Sequence, residues 1–110
     1  MAETMNGSNT VPMKVARISI PLFPLGRCVC TEGAEEVLDD LDVSPFELLC
    51  RHQAGDWGTL EPEDLEENIN AVKRGLRVIS FYRVGASQTK VWVITEADRS
   101  VTTILLPEEY

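Results

Sequence analysis

The chain has 110 residues, of which 44% are hydrophobic and 25% are charged, both ordinary values for a globular protein. This length fits one domain and excludes two cores of usual size, and the composition excludes a disordered or fibrous chain. Eighteen Asp and Glu against ten Lys and Arg give a formal net charge of −8. That charge disfavours direct binding to nucleic acid, which ordinarily needs a basic surface.

The sequence also disfavours a membrane protein and a metal-binding protein. No apolar stretch approaches the roughly 18–20 residues of a membrane span, and no charged-then-apolar leader opens the chain, so we expect a cytoplasmic protein without membrane contact. Cys28, Cys30 and Cys50 lack the spacing of redox or zinc motifs, and His52 is the one histidine. We therefore expect reduced cysteines, no metal and no cofactor.

Charge is unevenly distributed along the chain. Residues 31–70 contain thirteen acidic residues and one base, which sums to −12, whereas residues 71–99 contain six bases and two acids, which sums to +4. The acidic run is read either as solvated helix faces or as a surface that imitates nucleic-acid phosphate for a basic protein. Both interpretations remain open at this point.

The first half of the chain predicts helices. Residues 1–13 offer little to bury and predict a disordered leader, and residues 14–30 allow at most two short edge strands because prolines interrupt them. Thr31 can cap a first helix that runs from Glu32 to about Asp40. Ser44, Pro45 and Glu47 form a capping-box pattern for a second helix, which Gly55 ends.

The second half predicts one more helix and then a sheet. A third helix begins at Pro62 and ends at Gly75, with Leu65, Ile69 and Val72 as its expected buried stripe. Residues 76–84, 90–96 and 101–106 are rich in β-branched and aromatic residues and predict three strands. The predicted fold is α+β, with residues 14–110 as a single domain. Two to three N-terminal helices would pack on a C-terminal three- to four-stranded antiparallel meander.

Two groups of residues could carry chemistry. Arg51, His52, Asp56 and Trp57 lie at and just beyond the end of the second helix, where Asp56 could orient His52 as an acid or base. The structural alternative is that His52 caps carbonyls and Trp57 anchors the loop, and we expect Trp57 to pack on the meander near residues 96–103.

The second group surrounds the turn between the last two strands. If Asp98 and Arg99 are its central residues, Glu96 and Thr103 share one face of the sheet and could hold a phosphate ester beside His52. The alternative is an ordinary turn in which Arg99 pairs with a carboxylate. Candidate binding residues across the chain are Arg51, His52, Asp56, Trp57, Asp98, Arg99 and Tyr110, with the acids Glu35, Asp39, Glu63 and Glu67.

Aromatic residues form a weaker pattern. Tyr82 and Trp92 lie on neighbouring predicted strands, where aromatics could stack bases but more often pair inside a core. Tyr110 could fold back on the sheet or face a partner. No phosphate-binding glycine loop, serine elbow or metalloprotease helix is present in the sequence.

Residues 51–58 (RHQAGDWG), 67–68 (EN), 75–77 (GLR) and 94–110 (ITEADRSVTTILLPEEY) carry a resemblance to known proteins. The chain resembles, over residues 25–110, a family of short proteins encoded on bacterial plasmids, phages and integrated elements. The resemblance implies a mobile-element setting and implies no particular reaction.

Two functional hypotheses follow from these patterns. The first is a small accessory protein of a mobile element that binds a basic protein surface through its acidic helices and modulates a nucleic-acid-handling or defence complex of the restriction or CRISPR type. The second is a small metal-independent endoribonuclease, because helices followed by a meander are similar to the barnase and RelE topology. Its candidate catalytic residues are His52, Glu96, Arg99 and Thr103.

Overall fold

The computed structural model describes residues 20–110, so the predicted leader 1–13 and any strand before residue 20 lie outside the described residues. The described elements, in chain order, are β1 (Arg27–Cys30), α1 (Glu32–Asp40), α2 (Pro45–Ala54), α3 (Pro62–Arg74), β2 (Val78–Val84), β3 (Thr89–Thr95), β4 (Val101–Leu105) and a 3-10 helix (Pro107–Glu109). The predicted order of helices before a meander is therefore confirmed, as is the α+β class.

The sheet is mixed, whereas the sequence predicted a purely antiparallel one. Its strand order is β1-β4-β3-β2, and β2, β3 and β4 form the expected antiparallel meander. β1 pairs with β4 in parallel, with Arg27 opposite Val101 and Cys30 opposite Ile104. A parallel pair needs a long crossover, and the three helices between β1 and the meander supply it.

All three helices contact the sheet on one side of the meander or at its β2 edge. Strand alternation turns Val78, Ser80, Tyr82 and Val84 towards the helices and leaves Ile79, Phe81 and Arg83 on the other face, here called the outer face. The main core lies between α1, α2 and the inner face. Its buried members are Ala34, Leu38, Leu48, Leu49, Tyr82, Val84, Val91, Val93 and Ile104.

The helix ends follow the capping chemistry of the sequence with one difference. Thr31 Oγ1 accepts a hydrogen bond from the Ala34 N–H at 3.1 Å, and Gly55 ends α2 in the left-handed region at φ 96°. Ser44 caps α2 by accepting from the Phe46 N–H at 3.2 Å, rather than through a reciprocal bond with Glu47. The boundary was correctly predicted although the capping atom pair was not.

The buried stripe predicted for α3 is wrong at Leu65 and Ile69, whereas Val72 is half-buried against the second core. Leu65 and Ile69 are 44% and 45% exposed, whereas Asn68 and Ala71 are buried. The Asn68 amide donates to the Ile79 carbonyl at 2.7 Å and accepts from the Ile79 N–H at 3.2 Å. Asn68 thus pairs with the edge of β2 as a neighbouring strand would, and this pairing turns the two apolar side chains outward.

Trp57 also contacts the edge of β2, and not residues 96–103 as expected. Its carbonyl accepts from the Phe81 N–H at 3.0 Å, and the Thr59 N–H donates to the Phe81 carbonyl at 2.8 Å. The Trp57 ring is buried with Phe23, Ala71 and Val78 in a second, smaller core. Burial of this ring was predicted correctly, but its partner strand was not.

Within residues 20–110, no helix combines the length and the apolar composition needed to cross a bilayer.

The Asn68 contact predicts a measurable loss of stability. Asn68→Ala removes two hydrogen bonds from the edge of β2, which should lower the free energy of unfolding by about 1–3 kcal/mol. Asn68→Asp should cost at least as much, because its second oxygen would face the Ile79 carbonyl. Urea unfolding measures both, with Asn70→Ala as the control on an exposed position of the same helix. A loss for Asn68→Ala no larger than for Asn70→Ala would contradict this role.

Candidate functional site

The buried polar centre of the molecule is His52, which projects from α2 towards the sheet and is fully buried. Its Nδ1 lies 2.6 Å from Ser80 Oγ on β2, and its Nε2 lies 2.9 Å from Thr95 Oγ1 on β3. Thr95 Oγ1 is 2.6 Å from Thr102 Oγ1 on β4, which donates to the Leu25 carbonyl at 2.7 Å. One chain of hydrogen bonds therefore joins α2, three strands and the segment before β1.

The direction of these hydrogen bonds fixes the histidine tautomer. Because the Thr102 hydroxyl donates to a carbonyl, its oxygen must accept from Thr95, and Thr95 must in turn accept from His52 Nε2–H. Nδ1 then accepts from the Ser80 hydroxyl. Every polar atom of the ring is satisfied with a neutral imidazole, and none is left to exchange a proton with a substrate.

The surroundings also oppose protonation of this ring. Burial, and secondarily the positive charge of Arg99, lower the pKa of His52 from 6.5 to about 3. The Phe23 ring covers it edge-on, with centroids 5.3 Å apart. His52 is therefore a neutral core residue at neutral pH, with no exposed surface through which to act as an acid or base.

The sequence allowed Asp56 to orient His52. In the structure Asp56 pairs with Arg51 instead. The Arg51 guanidinium donates to the two carboxylate oxygens at 2.7 and 3.3 Å and lies 4.5 Å from the centroid of the Tyr82 ring. The Tyr82 hydroxyl donates to the Asp56 carbonyl at 2.6 Å, and the Trp57 indole N–H donates to the His52 carbonyl at 2.9 Å. These contacts hold the loop after α2 against the sheet.

Arg99 is committed to backbone carbonyls. It occupies a left-handed position in the β3–β4 turn at φ 62°, and its guanidinium donates to Leu76 and Ala71 carbonyls at 2.6 and 3.0 Å. Further donations reach the Glu96 and Ala97 carbonyls. Arg99 thereby ties the end of α3 to the turn, instead of pairing with a carboxylate or facing a ligand.

Glu96, Thr103 and Tyr110 lie on the outer face, on the opposite side of the sheet from His52. Thr103 faces Ile94 as predicted, and Glu96 accepts from Arg77 at 3.2 Å. Arg77 also donates to the Tyr110 hydroxyl at 2.9 Å, and the Tyr110 ring packs against Trp92 with centroids 5.4 Å apart. Tyr110 is folded back on the sheet and remains 66% exposed.

The four residues of the ribonuclease hypothesis are therefore not brought together. His52 is sealed under the helices, Arg99 binds carbonyls, and Glu96 and Thr103 share the other face of the sheet. Asp98 is exposed, and its carboxylate accepts from the Ser100 N–H at 3.0 Å within its own turn. These candidate residues therefore do not meet at a common point.

The candidate acids lie on two separate helices. Glu35 and Asp39 are exposed on α1, which packs beside β4, and Glu63 and Glu67 are exposed on α3, which contacts β2 at the far edge of the sheet. Each pair belongs to its own shallow concavity. The α1 concavity is lined by Glu32, Gly33, Glu35, Glu36 and Asp39, and the α3 concavity by Glu63, Glu66, Glu67 and Asn70.

A feature missed by sequence reasoning is an aromatic and basic cleft on the outer face. The register pairs Phe81 with Trp92 and Arg83 with Lys90, so Trp92 contacts Phe81 and not Tyr82, which is buried on the inner face. A cleft of about 180 Å³ is lined by Thr59, Phe81, Tyr82, Arg83, Lys90 and Trp92. The strand register, applied to the predicted hairpin, would have found the two pairs.

All three cysteines carry free thiols, with Cys28 and Cys50 exposed. In the part of the chain that the structure describes, no three His, Cys, Asp or Glu side chains are grouped to hold a metal ion.

Comparison with protein-family models, with curated proteins and with solved structures gave no match to this chain.

The buried His52 predicts a loss of stability in mild acid. Unfolding restores the ordinary pKa of 6.5, so the unfolded chain binds a proton that the folded chain excludes until about pH 3. Stability is therefore complete above pH 6.5 and falls below it, by about 2 kcal/mol at pH 5. Urea midpoints at about pH 7.5 and pH 5 measure this change, which His52→Gln should remove.

A second measurement does not depend on a stable variant. Because His52 is the one histidine, a single imidazole resonance reports on it in NMR spectra. That resonance should stay at its neutral position down to about pH 4.5. Titration with a midpoint near 6.5 in the folded protein would contradict the buried, neutral ring.

Proposed function

We propose that this chain is a cytoplasmic accessory protein of a mobile genetic element that binds a basic surface on another protein through its helices. The complex it modulates would handle nucleic acid or defend against foreign DNA, as restriction and CRISPR systems do. The mobile-element setting is supported by the family resemblance of residues 25–110. The cytoplasmic location is supported by three free thiols, which persist in a reducing compartment.

The unpaired carboxylates of the helical half supply the charge for such an interface. Of the thirteen acidic residues between 31 and 70, Asp56 alone forms an ion pair with described residues. The other twelve carboxylates, which form no ion pair within residues 20–110, cost the isolated fold some self-repulsion. A basic partner would relieve that repulsion, because at physiological ionic strength the screening length of about 8 Å still spans a close contact.

One observation carries the proposal: exposed apolar side chains stand among these carboxylates on the same helices. Phe46 on α2 is 75% exposed beside Glu47, and Leu65 and Ile69 on α3 are 44% and 45% exposed next to Asp64 and Glu66. Solubility alone calls for charges without apolar anchors. Apolar anchors with a polar rim are typical of protein interfaces.

Phe46 also borders a groove that suits a protein segment. The groove has a volume of about 240 Å³ and is lined by Cys28, Val29, Cys30, Pro45, Phe46, Leu49 and Ile104. It adjoins the edge of β1 that faces away from β4. Cys28 and Cys30 direct their backbone N–H and carbonyl groups to that edge, because Arg27 and Thr31 turn theirs towards β4.

Binding is favoured over catalysis by the positions of the titratable groups. The ribonuclease alternative needs a proton-transferring residue beside a phosphate site, and His52 has neither exposure nor a free nitrogen. An interface needs no such group. Its carboxylates would mainly accelerate association, so binding should weaken as salt concentration rises.

Charge reversal on the two helices tests this proposal. A variant with Glu35, Asp39, Glu63 and Glu67 changed to lysine should lose salt-sensitive capture of its partner from host lysate and the associated phenotype. Variants with only the α1 pair or only the α3 pair reversed carry equal charge changes and identify which helix contacts the partner. Lysine at Glu35 and Glu63, in the first turns, should cost about 0.3–1 kcal/mol each, which a thermal melt checks.

Two further variants complete the test. Phe46→Ser removes an exposed anchor and should weaken capture with little change in the melt, because surface substitutions usually stay within about 0.5 kcal/mol. Glu108→Lys reverses an exposed charge outside α1, α2 and α3 and should leave capture unchanged. Full capture by the fourfold variant, or cleavage of RNA by the unaltered protein, would overturn the proposal.

A further inference from the structure

We propose that the outer-face cleft between β2 and β3 binds a segment of single-stranded nucleic acid, with a base against Phe81 and Trp92 and its phosphates on Arg83 and Lys90. This site lies on the opposite face of the sheet from the main helix-packed core and is independent of the protein interface proposed above.

The two cations of the cleft are the first observation that points to an anionic ligand. Arg83 and Lys90 are directly opposite on neighbouring antiparallel strands, and both are exposed. Like charges in this arrangement destabilise a sheet. Neither forms an ion pair with residues 20–110. An uncompensated cationic pair in a chain of net charge −8 is therefore satisfied best by an anion from outside.

The aromatic pair next to these cations is the second observation. Phe81 and Trp92 are opposite each other on the same two strands and form the next cross-strand pair on this face, with ring centroids 4.8 Å apart and planes inclined by 40°. Both rings are half-buried, since none of α1, α2 and α3 packs on the outer face and Tyr110 covers one side of Trp92. Proteins that bind single strands stack bases on partly exposed aromatic rings of a sheet and hold the phosphates with neighbouring cations.

The size of the cleft restricts the ligand. At about 180 Å³ it lies below the roughly 300 Å³ at which drug-sized pockets begin, so it accommodates one flat ring and not a large rigid ligand. Duplex nucleic acid keeps its bases stacked and does not present a ring face laterally. A single strand, whose bases can turn out, is the form that fits.

The net charge of the chain does not oppose this site, because the charges are segregated by the sheet. Nine of the twelve acids of residues 31–70 that form no ion pair within residues 20–110 lie on α1 and α3, and the other three are Asp42, Glu47 and Glu61. The outer face carries Arg77, Arg83 and Lys90 against Glu96, which Arg77 already neutralises. A strand lying on the outer face is screened from the α1 carboxylates by the sheet and the core. The net charge of −8, which disfavoured nucleic acid in the sequence analysis, is an average over two surfaces of opposite charge.

Fluorescence titrations of the full chain with oligonucleotides test the proposal. Single-stranded RNA and DNA of one mixed sequence should each bind and quench the fluorescence of Trp92. The oligonucleotide that binds more tightly shows whether the site prefers RNA or DNA. A duplex of the same sequence should bind at least tenfold more weakly. With two phosphate contacts, raising salt from about 50 to 200 mM should lower the association constant about sevenfold.

Four variants separate the contacts. Arg83→Gln with Lys90→Gln should abolish most of the salt dependence, whereas Lys73→Gln on α3 should not change it. Trp92→Ala should weaken binding about fivefold to 150-fold, the range for loss of one stacked base. Trp92→Phe should keep the affinity within about threefold but lose the quenching, because Trp57 is buried elsewhere. Thermal melts verify that each variant folds.

Each alternative outcome overturns the proposal. No binding at protein concentrations up to about 1 mM, well above the range of non-specific affinity, would exclude nucleic acid. Binding that is unchanged by the double glutamine variant would place the contact outside the cleft. An acidic, aromatic peptide that binds the cleft while both oligonucleotides fail would assign the site to a protein ligand.

Discussion

The hydrogen-bonded chain centred on His52 is the constraint on which the rest of the structure depends. It links α2 to β2, β3 and β4, and through Thr102 to the Leu25 carbonyl just before β1. Buried polar groups stabilise a fold only when every member is satisfied, and here one tautomer satisfies all of them. These hydrogen bonds therefore fix how closely α2 approaches the sheet and how it is rotated about its own axis. That position in turn sets where the Arg51–Asp56 pair, the Trp57 loop and the groove beside Phe46 lie.

The sheet separates two surfaces of different chemistry. The helical side presents unpaired carboxylates and apolar anchors, whereas the outer face presents aromatic rings and cations. This division follows from strand alternation, since the residues that pack under the helices leave their neighbours on the other face. A protein with one surface for a basic protein and another for a single strand would suit a factor that acts on nucleic-acid-handling complexes.

Local chemistry made much of the fold predictable, and non-local pairing limited the rest. Thr31, Ser44, Gly55 and Gly75 mark helix ends through contacts within a few residues, so the helices and their order were correctly predicted. The parallel pairing of β1 with β4 joins residues more than seventy positions apart, and no local pattern encodes it. The prediction that Leu65 and Ile69 are buried failed because the two hydrogen bonds of the Asn68 amide to Ile79 set which side of α3 faces the sheet. For the site, His52 and Arg99 have side chains suited to catalysis, but His52 is buried and Arg99 is bound to backbone carbonyls, and both facts depend on residues distant in the sequence.

The two edges of the sheet differ in a way that limits self-association. At the β2 edge, the outward groups of Ile79 and Phe81 are already bonded to Asn68, Trp57 and Thr59. At the β1 edge, no described strand pairs with Cys28 or Cys30. A sheet can grow from subunit to subunit only if each subunit has an unpaired strand edge on both sides. A molecule whose β2 edge is occupied at these two residues pairs through its β1 edge, and it can do so once. Edge-to-edge association would therefore stop at a twofold dimer and not extend into a fibre.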